Sequence, residues 1–267
     1  MTSKNREQSL FNLTREIKPY ISSKNPSVAF IEANNNYSGP RFISLNTPNF
    51  EMSPSKRKEI KGEIFIIPPL WSRTYIYATS GYGKSTWCAN YIGVYHKFYP
   101  DNKVYLISHI EEDRAFNNMD YIKKLDIDYL TEYFDGNYNY KDFQNSLLVF
   151  DDVLELPKYD GGDIFRKFQQ GLLKLGRHFN ISILITSHGF NDGMRTKVIL
   201  AECDSFVLFP RMRFGRNVRQ GIKKYLNIND LQFDKIKTFA QGSRWVYLKA
   251  SYPEYWVFQY GYMSKID

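Results

Sequence analysis

The sequence is short of cysteine, with Cys88 and Cys203 the only two in 267 residues. That excludes a disulfide framework and a thiolate zinc site, and it points to a reducing compartment. No apolar run approaches the ~18 residues that a membrane span requires. The mean hydropathy of −0.48 agrees, so a transmembrane protein is not expected. The opening MTSKNREQSL has no apolar stretch of the signal-peptide kind, so the expectation is a protein that is not secreted. Histidine is scarce too: His96, His109 and His178 show no ligand-like spacing and read as structural or surface residues. Internal repeats and low-complexity blocks are absent. Hydrophobic residues make up 43%, which rules out wholesale disorder, and the length suffices for one substantial core plus a small appendage. Aromatics are abundant at 17%, but they are spread along the chain and identify nothing by themselves.

Charge is present and segregated. Residues 1–61 hold ten basic against five acidic side chains, residues 62–206 fifteen against nineteen, and residues 207–267 eleven against four. The net +8 therefore divides into +5, −4 and +7. A solubilising surface would explain the total but not the division. Two basic ends around an acidic centre suggest a polyanionic partner met by the ends.

Residues 1–26, rich in Ser, Asn, Lys and Glu, read as a mobile arm. The apolar runs Ser27–Glu32 and Arg41–Leu45 flank the turn-rich ANNNYSGP and read as a hairpin. Further on, TYIYA (74–78), KVYLIS (103–108), SLLVFD (146–151), ISILIT (181–186) and SFVLF (205–209) read as strands. Helical spacing falls at Lys84–Lys97, around Arg114–Leu125 and over Gly162–Phe179. Apolar strands alternating with helices predict an α/β fold with a mainly parallel sheet covered on both faces.

Between the first of these strands and its helix lies ATSGYGKST, residues 78–86. It matches the phosphate-loop pattern G-x-x-x-x-G-K-[ST] except that Ala78 replaces the first glycine. Gly81 and Gly83 let the backbone turn its N–H groups around phosphates, and the helix N-terminus adds its positive dipole end. Ser80, Gly81, Tyr82, Gly83, Lys84, Ser85 and Thr86 are thus the expected nucleotide cradle. Lys84 reaches the β/γ oxygens and the Ser85 hydroxyl is a ligand for Mg²⁺. ATP and Mg²⁺ are the implied cofactors.

SLLVFDD ends in Asp151 and Asp152. An acid at the end of a buried strand suits the Mg²⁺ shell, the role expected of Asp151. A second, adjacent acid can polarise a water for attack on the γ-phosphate, the role expected of Asp152. Consecutive strand residues face opposite ways, so the two are expected to do different jobs. A pair with helix-capping duties is the alternative. The strand KVYLIS is expected to separate the loop strand from the acid strand, which are direct neighbours in P-loop kinases; with the second carboxylate, it favours the hydrolytic RecA-like branch, by fold analogy. The next strand ends in Thr186-Ser187-His188, and His188 is placed to sense the γ-phosphate unless it is only a surface histidine.

GYGKST, LLVFDD and the run LLKLGRHFNISILITSH (172–188), followed by GMRTKVILAECDSFVLFPR (193–211), together resemble the FtsK–HerA superfamily of DNA-translocating ATPases. Within it they resemble the genome-packaging ATPases of large DNA viruses (the poxvirus type) and of virophages. The resemblance covers roughly residues 64–211, and departs from the pattern at Ala78 and at His188, where Gln is commoner. It implies a RecA-like core at 62–211, after an arm and hairpin at 1–61 and before a basic α+β extension at 212–267 packed on the core. It also implies a homo-oligomeric ring in which an arginine of one subunit completes its neighbour's ATP site, with Arg177 and Arg195 the candidates. RMRFGRNVR (211–219), with Arg211, Arg213, Arg216 and Arg219, then Lys223 and Lys224, suits contact with a double-stranded DNA backbone. A solvated face or an intersubunit salt-bridge patch is the alternative. The implied function is ATP-driven packaging of a viral genome into a preformed capsid, in the virion or the host-cell cytoplasm, with a capsid vertex or portal as partner. A cellular or plasmid DNA-transfer ATPase of the same superfamily is the main alternative; a P-loop small-molecule kinase or a non-hydrolysing nucleotide-binding protein is a more distant one.

Overall fold

The five strands expected between residues 74 and 209 all form, and all lie in one sheet. The computed structural model describes residues 27–31, 41–52, 64–110, 113–134, 139–155, 162–191, 193–212, 214–240 and 242–264; the expected arm at 1–26 lies outside them. The chain begins with β1 (Ser27–Ile31), β2 (Arg41–Ser44), β3 (Phe50–Glu51), β4 (Ile64–Ile66), β5 (Arg73–Tyr77) and α1 (Lys84–Phe98). Next come β6 (Lys103–Ser108), β7 (Ile122–Leu125), α2 (Ile127–Phe134), β8 (Ser146–Asp151), α3 (Asp163–Leu175) and β9 (Ile181–Ser187). The remainder is α4 (Gly193–Glu202), β10 (Ser205–Leu208), α5 (Arg216–Leu226), α6 (Asp230–Phe239), β11 (Val246–Lys249), β12 (Tyr255–Phe258) and β13 (Gly261–Ser264).

The main sheet has ten strands in the order β3-β13-β12-β11-β10-β5-β9-β8-β6-β7. Neighbours from β10 through β7 are parallel, and those from β10 to β3 are antiparallel. Every position of β8 and β9 is buried. Helices flank the sheet, so a central strand has no solvent face and its sequence is apolar throughout. This is the expected α/β, RecA-like architecture with a mainly parallel centre. β9 is the strand that separates the loop strand β5 from the acid strand β8, while KVYLIS (β6) lies beyond β8. The C-terminal strands β11 to β13 continue the same sheet antiparallel. The expected hairpin at 27–45 appears as β1 and β2, paired with Phe30 opposite Phe42; β4 completes this second, three-stranded sheet.

One expected helix is absent. Residues 114–125 form hydrogen-bonded turns (Phe116 N–H to Asp113 O, Met119 N–H to Phe116 O) and then the edge strand β7. The Asp113 carboxylate accepts the Ala115 N–H at 2.9 Å, a local bond that competes with helix. The open edge of β6 offers the following residues a ladder instead. Tertiary pairing overrides the helical period there.

Asp204, 6% exposed, ties three strands together at the sheet end where β5 and β10 begin. Its carboxylate meets Lys249 Nζ at 2.9 Å, the Ser205 hydroxyl at 2.7 Å and the Arg73 N–H at 3.3 Å, while its carbonyl accepts the Ala250 N–H at 2.9 Å. Asp204→Ala leaves Lys249 partly buried without that partner and is expected to lower stability by about 2–3 kcal/mol, measured by urea denaturation. A midpoint equal to wild type would show that the clamp contributes nothing.

Candidate nucleotide-binding site

Three parallel strands bring the chemistry to one end of the sheet. Tyr77 is level with Ser187, Phe150 with Ile185 and Ser108 with Asp151. The loop after β5, the acids ending β8 and the polar end of β9 are therefore neighbours, as ligand sites at strand carboxyl ends require.

In the loop, Gly81 has φ +81° and Gly83 φ +95°, conformations that favour glycine. Ala78 is not among the positive-φ residues; it is fully buried, with its N–H directed to Ser187 O at 3.3 Å. Alanine in place of the first glycine therefore introduces no backbone strain. A Cβ on Gly81 or Gly83 would meet nothing within 4 Å, so the space over the loop is open. α1 starts from Gly83 without a side-chain cap and with no acidic residue in its first turn. Its N-terminal N–H groups and dipole are left for an anion. Ser80, Gly81, Tyr82 and Thr86 are exposed and Ser85 is half-buried.

Lys84 is buried, 6% exposed. Its ammonium donates to Ala78 O at 3.0 Å and lies 3.2 Å from His188 Nδ1 and 3.7 Å from Asp152 Oδ2. Burial holds it below the usual lysine range, opposed by the charges of Asp152 and Asp151. Asp151 is 2% exposed, and burial raises its carboxyl above the ordinary value, opposed by a hydrogen bond from Thr186.

The two acids do not face opposite ways. β8 ends at Asp151, and Asp152 turns out of the strand with φ +52°. Strand alternation stops where the strand stops, so both carboxylates reach the Thr186 hydroxyl, Asp151 Oδ1 at 2.8 Å and Asp152 Oδ1 at 3.1 Å. The second oxygen of Asp152 lies 3.0 Å from His188 Nε2. His188 thus joins the loop lysine and the second acid, as its strand-end position suggested. Thr186 had no such prominence in the sequence; the signal available was its place in the polar run Thr186-Ser187-His188. The donor set fits a Mg-nucleotide: an open cradle of N–H groups, a buried lysine, and hard oxygen ligands from Ser85 and Asp151.

No protein-family model matches the chain. Protein V3 of Sputnik virophage, itself described as uncharacterized, is 30% identical over 189 residues, 70% of this chain and 74% of V3. The chain belongs to one family with V3. The genome-packaging NTPase B204 of Sulfolobus turreted icosahedral virus 2, solved with sulfate, superposes with a TM-score of 0.52 at 14% identity, covering 72% of this chain and 97% of B204. The cytoplasmic domain of the type VII secretion ATPase EccC of Thermomonospora curvata gives 0.50 at 11% identity, over 97% of this chain and 31% of EccC. At such identities these two show the fold.

Of the two candidate fingers, Arg177 lies away from this site. Arg177 is exposed on the 3₁₀ turn Gly176–Phe179 that precedes β9, at the other end of the strand from His188. Strand rise alone puts it roughly 20 Å from the site. Arg195 is in the first turn of α4, which follows the site end of β9, and its side chain lies outside the described residues. Of the basic cluster, Arg213 lies outside the described residues. Arg211 is exposed, and Arg216, Arg219 and Lys223 recur along the exposed face of α5, with Lys224 beside them. Arg219 stacks on Phe233 at 5.4 Å and Lys223 pairs with Asp230 at 2.6 Å. Lys224 lies over its neighbour Tyr225 at 5.1 Å.

Two contacts join this segment to the site. Met212 Sδ accepts the Thr79 N–H of the loop at 3.3 Å. α5 also lies against the residues after His188, so closely that a Cβ on Gly221 would fall 2.7 Å from the Phe190 ring.

Because burial raises the Asp151 carboxyl, ionisation is disfavoured in the folded state. Its contribution to stability is full below the ordinary carboxylate pKa and is lost as pH rises through the raised value. Asp151→Asn is therefore expected to raise the melting temperature of the ligand-free protein at pH 7 relative to wild type, by an amount that shrinks in acid, while abolishing Mg-dependent ATP turnover. Paired melts at pH 4.5 and pH 7 check the sign.

Proposed function

We propose that this protein is an ATPase that translocates double-stranded DNA and packages a viral genome into a preformed capsid. The observation that carries the reading is the convergence of Lys84, Asp151, Asp152 and His188 at one sheet end, beside a segment that exposes Arg211, Arg216, Arg219, Lys223 and Lys224. Lys84 binds the β- and γ-phosphates, and the N–H groups at the start of α1 hold the chain of phosphates in place. Mg²⁺, when bound by Ser85 and Asp151, supplies neutralising charge between phosphate oxygens. Asp152 orients and deprotonates the attacking water, and His188, within reach of both Lys84 and Asp152, responds to the γ-phosphate. A finger arginine from a neighbouring subunit, Arg177 or Arg195, adds charge at the γ-phosphate.

The basic face of α5, with Arg211 before it, takes the DNA phosphates without reading sequence. Its seat on the Phe190 segment links the DNA surface to His188 through three residues of chain. A ring of such subunits, a portal or capsid-vertex partner and a place at the viral assembly site follow from this reading. Among the described residues no helix is long and apolar enough to cross a membrane. The DNA-transfer ATPases of cells and plasmids remain the competing role within the superfamily.

ATP hydrolysis is expected to rise when long duplex DNA is added, by a factor that falls between 50 and 200 mM salt. Lys84→Ala and Asp152→Asn are expected to abolish it. Equal turnover with and without DNA would sink the motor reading, and phosphoryl transfer to a small acceptor would favour a kinase. For the finger, mixing an Arg177→Ala or Arg195→Ala protein with Lys84→Ala protein is expected to restore part of the activity for the arginine that acts in trans. No recovery for either would remove both candidates.

A further inference from the structure

Thr186 is fully buried, and its one hydroxyl group lies within hydrogen-bond distance of three groups on two consecutive residues, Asp151 at the end of β8 and Asp152 just after it. The oxygen accepts the Asp152 N–H at 2.9 Å. The proton points at Asp151 Oδ1 at 2.8 Å and at Asp152 Oδ1 at 3.1 Å. A hydroxyl carries one proton, so it serves only one carboxylate at a time. The accepted N–H belongs to the residue at φ +52°, which makes this bond the one that holds the left-handed turn after β8. Such a conformation in a non-glycine residue costs about 1 kcal/mol or more and persists only where its surroundings impose it.

We propose that Thr186 is the positioning residue of the carboxylate pair, holding the Asp152 turn through its oxygen and keeping Asp151 and Asp152 convergent through its single shared proton. This rests on the ATPase reading above and assigns a residue to it. Two like charges brought together in a buried place repel each other, and a donor between them is the means by which both stay aimed at one point. The Asp152 carboxylate is then fixed at both oxygens, by Thr186 on one and by His188 on the other. Asp151 is held in the plane of β8 beside it. Neither Ser187, whose hydroxyl is bonded to Gly189, nor any group of β6 at that level takes over this contact among the described residues.

Thr186→Val keeps the shape of the side chain and removes the hydroxyl, whereas Thr186→Ser keeps the hydroxyl and removes the methyl. A positioning role predicts that Thr186→Val lowers kcat for ATP roughly 10–100-fold. KM and the binding of a fluorescent ATP analogue in Mg²⁺ should change by less than about threefold. Thr186→Ser is expected to recover kcat to within about fivefold of wild type. If Thr186→Val turns over ATP like wild type, the proposal fails. It also fails if Thr186→Ser is as impaired as Thr186→Val, since packing of the methyl would then be what matters. Loss of analogue binding together with kcat in Thr186→Val, with a collapsed melting transition, would assign the residue to folding and overturn the proposal as well. A wild-type protein without ATPase activity overturns the ATPase reading itself, and this role with it; an active wild type beside an unimpaired Thr186→Val overturns only the role of Thr186.

Discussion

The parallel pairing of β5, β9 and β8 is the constraint on which the site depends. The three strands are level at their carboxyl ends, and each leaves the sheet carrying one part of the chemistry. A slip of one residue in β9 would turn Thr186 to the other face of the sheet. The register is held because both faces of these strands are buried. Their apolar side chains have one arrangement that fills the space between the sheet and its helices.

Around that frame the electrostatics are set by burial. Lys84 and Asp151 both lie in places that disfavour charge, and each is the other's partial compensation. The ligand-free site is therefore a cluster of mutually satisfied groups: Lys84 on Ala78 O, His188 between Lys84 and Asp152, and Thr186 between the acids. A triphosphate entering over Gly81 and Gly83 competes for the same lysine and brings charge that the uncapped start of α1 accepts. The segment after His188 lies against the basic helix α5. The segregation of charge along the sequence, an acidic middle and a basic end, corresponds to a nucleotide site and an adjoining cationic face.

The composition had little to say about the aromatics, and the fold explains where they go. Tyr75, Tyr95, Tyr247 and Phe206 are among the largest fully buried side chains. Phe190 packs against Tyr75, Tyr77 and Phe206. Buried tyrosines need partners for their hydroxyls, and several have them, such as Tyr247 on Ser205 at 2.8 Å and Tyr91 on Ser72 at 3.1 Å.

Much of this was legible from residues alone. The phosphate loop, the acid pair, the polar end of the following strand and the basic helix are local patterns, and each requirement is met within a few residues: positive φ at Gly81 and Gly83, an unbroken apolar run in a strand buried on both faces, a helical repeat of Arg and Lys. Other features depended on neighbours remote in sequence. The stretch 114–125 became a turn and a strand because β6 had an edge to be paired. β9, rather than KVYLIS, came between the loop strand and the acid strand. Asp151 and Asp152 converge because the strand ends between them and Thr186, 34 residues beyond Asp152, supplies the bond that holds the turn. Local sequence determines which chemical groups the chain carries and the conformations each segment prefers. Which strand lies beside which, and so which groups meet, is decided only when long-range pairing and burial are satisfied together.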